Sequence, residues 1–274
     1  MLTQTTGKWH GAVVALICGS LILLVSLGIR HAFGLFLQPV TMDQGWGRET
    51  FAFAIALQNL VWGFSQPFAG MLSDRFGARP VVASGALLYG LGLWVMSQVA
   101  GEVVFIFGAG VLIGLGLSGT TFPVIFGAIS RLVAPQQRSF AMGITMSVGS
   151  FGQFAMLPIS LGLITGLEWQ SALIVLSILA ILMFPLAFGI RSASPSTFFA
   201  EEDVSFTQAL RDAFGMRAFW LLSLGFFACG FQVVFLAVHL PAFLMGKGGG
   251  GGVAPQGDRA ARHPRQRAGE GGRP

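Results

Sequence analysis

The chain has 274 residues, of which 54% are hydrophobic and 10% are charged, and its formal net charge is +5 at pH 7. Soluble domains carry about 25% charged residues, so this composition excludes an ordinary soluble fold and predicts an all-α membrane protein. The positive charge does not indicate a nucleic-acid partner, because residues 247–274 alone hold six of the sixteen basic residues and two of the eleven acids. Cys18 and Cys229 both lie in apolar runs and predict no disulfide framework.

Seven apolar runs are long enough to cross a bilayer, which takes about 20 residues of helix. The first run begins near Gly11 and continues past the roughly 7–15 residues of a signal-peptide core, so we expect no separate signal peptide. The predicted transmembrane helices cover residues 11–37, 51–71, 80–99, 104–130, 139–165, 171–190 and 218–244.

Lysines and arginines between these helices predict their orientation, because cytoplasmic loops carry an excess of positive charge. With the N-terminus in the cytoplasm, Arg48 is in an outer loop beside Asp43 and Glu49. We therefore expect a multi-pass protein of the inner (plasma) membrane with a cytoplasmic N-terminus. The other basic residues near the helix ends then face the cytoplasm: Lys8, Arg75, Arg79, Arg131, Arg138, Arg191, Arg211 and Arg217.

The order of apolar and polar segments predicts the domain organisation. Residues 1–190 form a six-helix bundle, residues 191–217 a cytoplasmic linker, and residues 218–246 a seventh transmembrane helix. Six helices, a central linker and a restart are the plan of a carrier built from two similar halves. The six helices would then form two inverted three-helix repeats.

The composition changes abruptly from Lys247, and five consecutive glycines begin at Gly248. One interpretation of residues 247–274 is a disordered Gly/Arg/Pro-rich tail. The other is an out-of-frame or truncated end, because seven spans would place this basic segment outside, against the positive-inside rule. The Ala/Gly/Pro/Arg bias also resembles a GC-rich gene translated in the wrong frame. We favour the second interpretation, in which later spans are missing.

Two ionisable residues, Arg30 and His31, lie within the first predicted span. Such residues cost about 2.5–3.5 kcal/mol each on insertion scales and mark functional sites. The functional hypothesis is a cation that faces the central cavity and binds an anionic substrate. The alternative is an arginine that snorkels to the interface or pairs with another helix.

The second predicted span carries a polar stripe at spacings of three and four residues, which places its members on one broad helix face. Such a stripe lines a water-filled path or bonds to a neighbouring helix, and the sequence does not decide between these. Its residues are Gln58, Asn59, Trp62, Ser65 and Gln66.

Other polar residues in the spans are weaker candidates for substrate binding. Thr120 and Thr121 can bond back to their own helix, and we keep Thr121 as a binding candidate. Gln153 lies beside a run of small residues that favours close helix packing. Gln232 lies in the seventh span.

A polar loop separates the second and third spans, with sequence Gly-Met-Leu-Ser-Asp-Arg-Phe-Gly-Ala-Arg-Pro over residues 70–80. It resembles the signature loop of the major facilitator superfamily, Gly-x-Leu-[Ala/Ser]-Asp-Arg-x-Gly-x-[Arg/Lys]. The resemblance implies a secondary transporter in which this loop latches the two halves on the cytoplasmic side. The implied gating residues are Gly70, Asp74, Arg75, Gly77 and Arg79. Asp74 can pair with Arg75 or Arg79, and these arginines can also bind helix C-termini; the alternative is that they only set topology.

The resemblance extends over about residues 9–245. Residues 33–39, residues 45–48, residues 138–143 and Trp169 are similar to bacterial monocarboxylate-transporter-like and oxalate/formate-antiporter-like carriers. Drug antiporters of the superfamily usually have an arginine in helix 4 and a Gly-Pro pair in helix 5. Here Gly110–Gly114 and Gly149–Gly152 lack both, which lowers the drug-efflux hypothesis.

The sequence therefore predicts a monomeric carrier in the lipid bilayer that moves a small organic anion, such as a monocarboxylate, by alternating access. Symport with a proton or antiport against a counter-ion would drive it. No enzyme, cofactor, metal site or nucleic-acid partner is expected, because no nucleophile–base pair, metal-ligand cluster or phosphate loop is present. The alternatives are a drug or metabolite efflux carrier and a non-functional half-transporter fragment.

Overall fold

A computed structural model describes residues 3–98, 101–190 and 206–248. Most of the predicted linker and nearly all of the tail from Lys247 lie outside the described residues. Within them every regular element is helical, so the predicted all-α class is confirmed. The chain divides into two compact units, Met1–Ser205 and Phe206–Pro274.

The described residues of the first unit form eight α-helices. The helices α4 and α5 are joined by a π-helical stretch at Phe107–Leu112, and a 3₁₀ turn at Pro135–Gln137 precedes α7. The α-helices are α1 (Thr3–Gln44), α2 (Arg48–Phe76), α3 (Ala78–Ser97), α4 (Glu102–Ile106), α5 (Ile113–Thr120), α6 (Phe122–Leu132), α7 (Arg138–Ile181) and α8 (Met183–Ala187).

Four helical segments of the described chain are long and apolar enough to cross a membrane: Gly11–Gln44, Ala78–Ser97, Glu102–Leu132 and Pro135–Ala187. The predicted span 51–71 lies inside α2, whose 29 residues are long enough but whose polar stripe lowers its hydropathy. The predicted spans 139–165 and 171–190 share the segment Pro135–Ala187.

Glycines in the left-handed region separate the first four helical segments. Gly45 follows α1 with φ 65°, Gly77 follows α2 with φ 88°, and Gly101 precedes α4 with φ 115°. Side chains with a Cβ rarely adopt these angles. The turns therefore require glycine, which explains why Gly77 stands between α2 and α3 in the polar loop.

The fourth membrane segment, Glu102–Leu132, is interrupted. Thr121 has extended backbone angles, φ −113° and ψ −167°, so α5 ends and α6 begins around it. Pro123 lies in the first turn of α6, where its missing N–H costs no hydrogen bond. The segment thus contains a helix start inside the bundle.

The helix α7 bends at Glu168, whose φ of 68° and ψ of 156° are non-helical. The bend separates two arms that correspond to the predicted fifth and sixth spans. Beyond it, the Trp169 indole and the Gln170 amide both donate to the Asp43 carboxylate at 3.2 Å. These bonds join the end of α1 to the bend in α7.

The helix α1 packs along the first arm of α7 through small residues. A Cβ on Gly28 would lie 2.7 Å from the Gly152 carbonyl oxygen, so the two backbones nearly touch. The Ser20 hydroxyl donates to Thr145 at 3.4 Å on the same interface. On the second arm, the Ser177 hydroxyl donates to the Gly90 carbonyl of α3 at 2.7 Å. Close approach of this kind stabilises helices in lipid through van der Waals contact.

The second unit contains α9 (Phe206–Gly215) and α10 (Arg217–Gly248). The Trp220 indole donates to the Phe214 carbonyl at 2.9 Å, which ties the start of α10 to the end of α9. The predicted span 218–244 lies within α10.

Candidate functional site

The guanidinium of Arg30 is the centre of the candidate site. The membrane segment of α1 extends from Gly11 to Gln44, so at about 1.5 Å per residue Arg30 lies roughly 21 Å from its end at Gln44. The sequence predicts that this span ends at residue 37, seven residues after Arg30. Arg30 therefore lies 14 residues before the end of this segment and 19 after its start, and its half-buried side chain faces α2.

Side chains from α2 hold the guanidinium. Arg30 Nη2 donates to Asn59 Oδ1 at 2.6 Å, and the guanidinium carbon lies 4.5 Å from the centroid of the Trp62 ring. Asn59 Nδ2 donates to the Ile55 carbonyl at 2.8 Å, which orients the amide oxygen toward Arg30. A desolvated cation over an indole ring gains about 2 kcal/mol. Both partners are neutral, so they orient the charge without cancelling it.

The same indole reaches the break in the fourth segment. Trp62 Nε1 donates to Thr121 Oγ1 at 3.1 Å, and Thr121 donates its own proton to the Leu117 carbonyl at 2.7 Å. Three separate helical segments therefore meet at Arg30, Asn59, Trp62 and Thr121. We call these four residues the Arg30 cluster.

Gln58 and Asn59 are neighbours in sequence but have different surroundings. The Gln58 side chain is buried, and its Nε2 donates to the Ala109 carbonyl in the π-helical stretch at 3.1 Å. Successive residues on a helix point about 100° apart. The Asn59 amide therefore faces Arg30, while the Gln58 amide faces the π-helical stretch of the fourth segment. The structure thus gives Gln58 a helix-packing contact rather than a place in the cluster.

Within the first unit, two other predicted binding residues, His31 and Gln153, do not join the Arg30 cluster. His31 and Gln153 are half-buried, and Gln232 is exposed on α10 in the second unit. No hydrogen bond, ion pair or ring contact links His31 or Gln153 to the described parts of the chain.

Residues 70–76 of the predicted polar loop are the end of α2, and Asp74 in its last turn forms an ion pair with Arg131 in the last turn of α6. The sequence offered Arg75 and Arg79 as partners of Asp74, and neither is paired with it. Arg75 is exposed, with its guanidinium 5.4 Å from the Phe76 ring centroid. The ion pair joins α2 to a residue 57 positions away, which no local spacing could indicate.

Arg79 instead binds a helix C-terminus, one of the two roles expected for it. Its Nη2 donates to the Phe188 carbonyl just after α8 at 3.3 Å, and its guanidinium lies 5.7 Å from the Phe188 ring centroid. Of the two loop glycines, Gly77 supplies the positive φ, while Gly70 has no heavy atom within 4 Å of an added Cβ. Close packing therefore does not explain Gly70.

Sequence reasoning missed Arg131 as a partner in the loop, and it missed Tyr89 altogether. The Tyr89 hydroxyl donates to the Ser26 carbonyl at 3.0 Å inside the bundle. Only the composition could have indicated this residue, because Tyr89 is the one tyrosine in a chain with 26 phenylalanines. Back-bonding by Thr120 and Thr121 was predicted and is confirmed.

Comparisons with known proteins identify the family. Residues 11–255 match the family model described as Major Facilitator Superfamily. Monocarboxylate transporter 11 of Homo sapiens is 28% identical over 254 residues, covering 87% of this chain and 52% of that protein. The Oxalate:formate antiporter of Oxalobacter formigenes is 24% identical over 243 residues, covering 86% of this chain and 56% of that protein.

A shorter match is found to Multidrug resistance protein MdtH of Cronobacter sakazakii. It is 34% identical over 145 residues, which cover 53% of this chain and 33% of that protein. The chain thus spans about half or less of the length of these curated relatives.

Proposed function

This chain belongs to the Major Facilitator Superfamily, and from that premise we propose that it contains the anion-binding half of a secondary active transporter. The transporter moves a small organic anion of the monocarboxylate type by alternating access, coupled to a proton or a counter-anion. The observation that carries the proposal is Arg30, a cation within a membrane-length apolar helix that is held by neutral side chains.

The missing counter-charge is the first argument. Among the described residues, Arg30 has no carboxylate within ion-pair distance, and the ion pair found there lies elsewhere, between Asp74 and Arg131. An ionised side chain inside a membrane is costly unless it is paired. A carboxylate substrate would supply the pair, and guanidinium and carboxylate match each other in a bidentate geometry.

The helix start at Thr121 is the second argument. The N-terminus of α6 has no side-chain cap, and Trp62 contacts both Thr121 and Arg30. A helix N-terminus carries partial positive charge, and interrupted helices in transporters direct such ends at anionic substrate groups. Two sources of positive potential thus meet at the Trp62 ring, which favours an anion over a cation.

The relatives support the substrate class. Two proteins whose names refer to monocarboxylate, oxalate and formate align over 86–87% of this chain. The multidrug resistance relative supports drug efflux as a second candidate function, although it aligns over only 53%. The unpaired cation at Arg30 favours the first candidate, because cationic drugs would be repelled there.

Purified protein is expected to bind small carboxylates and not an organic cation. Sodium formate, lactate and oxalate should each raise the melting temperature of the detergent-solubilised chain, since a ligand stabilises the state that binds it. The cationic dye ethidium should leave the melting temperature unchanged, and sodium chloride at equal ionic strength serves as control. Stabilisation by ethidium without stabilisation by any carboxylate would instead favour drug efflux.

The ion pair between Asp74 and Arg131 has a proposed gating role on the predicted cytoplasmic side. Asp74→Asn and Arg131→Gln should each slow anion exchange in proteoliposomes several-fold, because either change frees the loop from α6. Each should alter the free energy of unfolding by less than about 1 kcal/mol, as expected for an exposed pair.

The double variant tests the coupling within this pair. Residues that act as one unit have non-additive effects, so the double variant should exchange no more slowly than either single variant. Multiplicative slowing in the double variant would mean that Asp74 and Arg131 act independently. Arg75→Gln is the matched control, because Arg75 lies in the same loop outside the pair.

A further inference from the structure

A buried polar network lies one helical turn from the Arg30 cluster. The Tyr89 hydroxyl of α3 donates to the Ser26 carbonyl of α1 at 3.0 Å. The Ser26 hydroxyl lies 2.9 Å from the Thr120 hydroxyl of α5. All three side chains have 0% relative exposure. Three helices are therefore joined at a point that no solvent reaches.

The Ser26 carbonyl connects this network to Arg30 through the backbone. In an α-helix each N–H donates to the carbonyl four residues earlier, so the Ser26 carbonyl is the acceptor for the Arg30 amide. A carbonyl oxygen has two lone pairs and can accept both bonds. Tyr89 therefore binds the turn of α1 that begins at Ser26 and ends at Arg30.

The hydroxyl protons of the two threonines determine which groups donate and which accept in this network. Thr120 donates to the Gly116 carbonyl at 2.9 Å, so its oxygen accepts the proton of Ser26. Thr121 donates to the Leu117 carbonyl and accepts from Trp62. Adjacent threonines at the break thus bind different helices, α1 and α2.

Together these contacts form a closed circuit. It leads from Arg30 along α1 to Ser26, across to Thr120 and Thr121, on to Trp62, and back to the guanidinium. Each step is a short hydrogen bond, a ring contact or covalent chain. These contacts set the position of Arg30 relative to the helix break, and Tyr89 is attached to the circuit at Ser26.

We infer that Tyr89 is a positioning residue for Arg30. It acts through Ser26 and the circuit, and it thereby holds Arg30 at the start of α6. This inference rests on the proposed role of Arg30 in anion binding. A site built to act on an anion must hold its charged groups in place before the anion arrives.

A purely structural role explains Tyr89 less well. The chain uses phenylalanine 26 times and tyrosine once, and a phenyl ring would fill the same volume without a hydroxyl to bury. The Ser26 carbonyl already has the Arg30 amide as its partner, so no orphaned acceptor requires the phenol. The hydroxyl therefore adds a bond between α3 and α1 that satisfies no otherwise unpaired acceptor.

The test compares Tyr89→Phe with Ser177→Ala in the full chain. Ser177 donates to the carbonyl of Gly90, the residue next to Tyr89, at 2.7 Å. Both variants lose one buried hydrogen bond on α3, but Ser177 has no connection to the circuit. The first measurement is the rate at which phenylglyoxal, an arginine reagent, labels Arg30 in liposomes, read by mass spectrometry of the Arg30 peptide.

The second measurement is the affinity for formate and oxalate, taken from the concentration dependence of the melting temperature. For Tyr89→Phe we expect labelling of Arg30 to accelerate several-fold and both affinities to fall about fivefold, the equivalent of one hydrogen bond. For Ser177→Ala we expect neither change. In an Arg30→Gln background, Tyr89→Phe should have no further effect on affinity, because positioning an absent charge changes nothing.

Equal labelling rates in Tyr89→Phe and Ser177→Ala would overturn the inference, and so would equal anion affinities when the wild type binds anions. Failure of the proposed function gives a different result. In that case no carboxylate stabilises the wild type or protects Arg30 from phenylglyoxal, while accelerated labelling in Tyr89→Phe still reports the positioning contact.

Discussion

Replacing Arg30 with glutamine is expected to abolish anion binding and uptake while leaving membrane insertion intact. Loss of one member of a buried charge pair costs about 2–5 kcal/mol, so affinity for formate or oxalate should fall at least roughly 30-fold. Insertion should not suffer, because glutamine removes a charge from the middle of the Gly11–Gln44 segment. The measurements are anion-induced stabilisation in detergent and radiolabelled formate uptake in proteoliposomes.

Two further variants separate charge from position in this experiment. Arg30→Lys keeps the charge but loses the planar fork that binds Asn59 and stacks on Trp62, so we expect intermediate affinity. Arg48→Gln removes an arginine at the start of α2, outside the Arg30 cluster, and should leave affinity unchanged. Unchanged uptake in Arg30→Gln would disprove the anion-binding role.

Replacing Gly152 with alanine is expected to destabilise the bundle strongly. A Cβ on Gly152 would overlap the Leu24 carbonyl and lie 2.7 Å from the Leu24 Cα. Since the obstacle is backbone, α1 and α7 must separate along an interface that also contains Gly28. Overpacking of this kind costs about 3 kcal/mol, measured as the free energy of unfolding in mixed detergent micelles.

Gly143→Ala is the matched control in the same arm of α7. No heavy atom lies within 4 Å of a Cβ at Gly143, so alanine should be neutral or stabilise by up to about 1 kcal/mol through helix propensity. Equal stability of Gly152→Ala and the wild type would show that α1 and α7 do not approach as closely as described.

The sequence predicted which residues form the candidate site better than it predicted how they are arranged. Polar groups in a membrane-length apolar run are costly and mark functional sites. This criterion selected Arg30, Asn59, Trp62 and Thr121. The same criterion also selected Gln58, which turned out to bond the Ala109 carbonyl of the fourth segment. Polarity identifies residues that need partners, but it does not identify the partner.

The contacts of two residues, Tyr89 and Arg131, were not predicted from the sequence. Tyr89 lies in an apolar run as an ordinary aromatic residue, and only its hydrogen bond to Ser26 distinguishes it. Arg131 was recognised as a topology signal, and its partner Asp74 was sought among nearer arginines. In both cases the missing information was a contact between segments far apart in the chain.

The sequence by itself determined the all-α membrane class, a break between the second and third spans and the family, because hydropathy and motif residues are local properties that add along the chain. The tertiary structure decided that Asp74 pairs with Arg131, that Asn59 rather than Gln58 holds Arg30, and that Trp62 joins Arg30 to Thr121. These choices depend on helix rotation and close packing, since side chains about 100° apart on one helix face different neighbours.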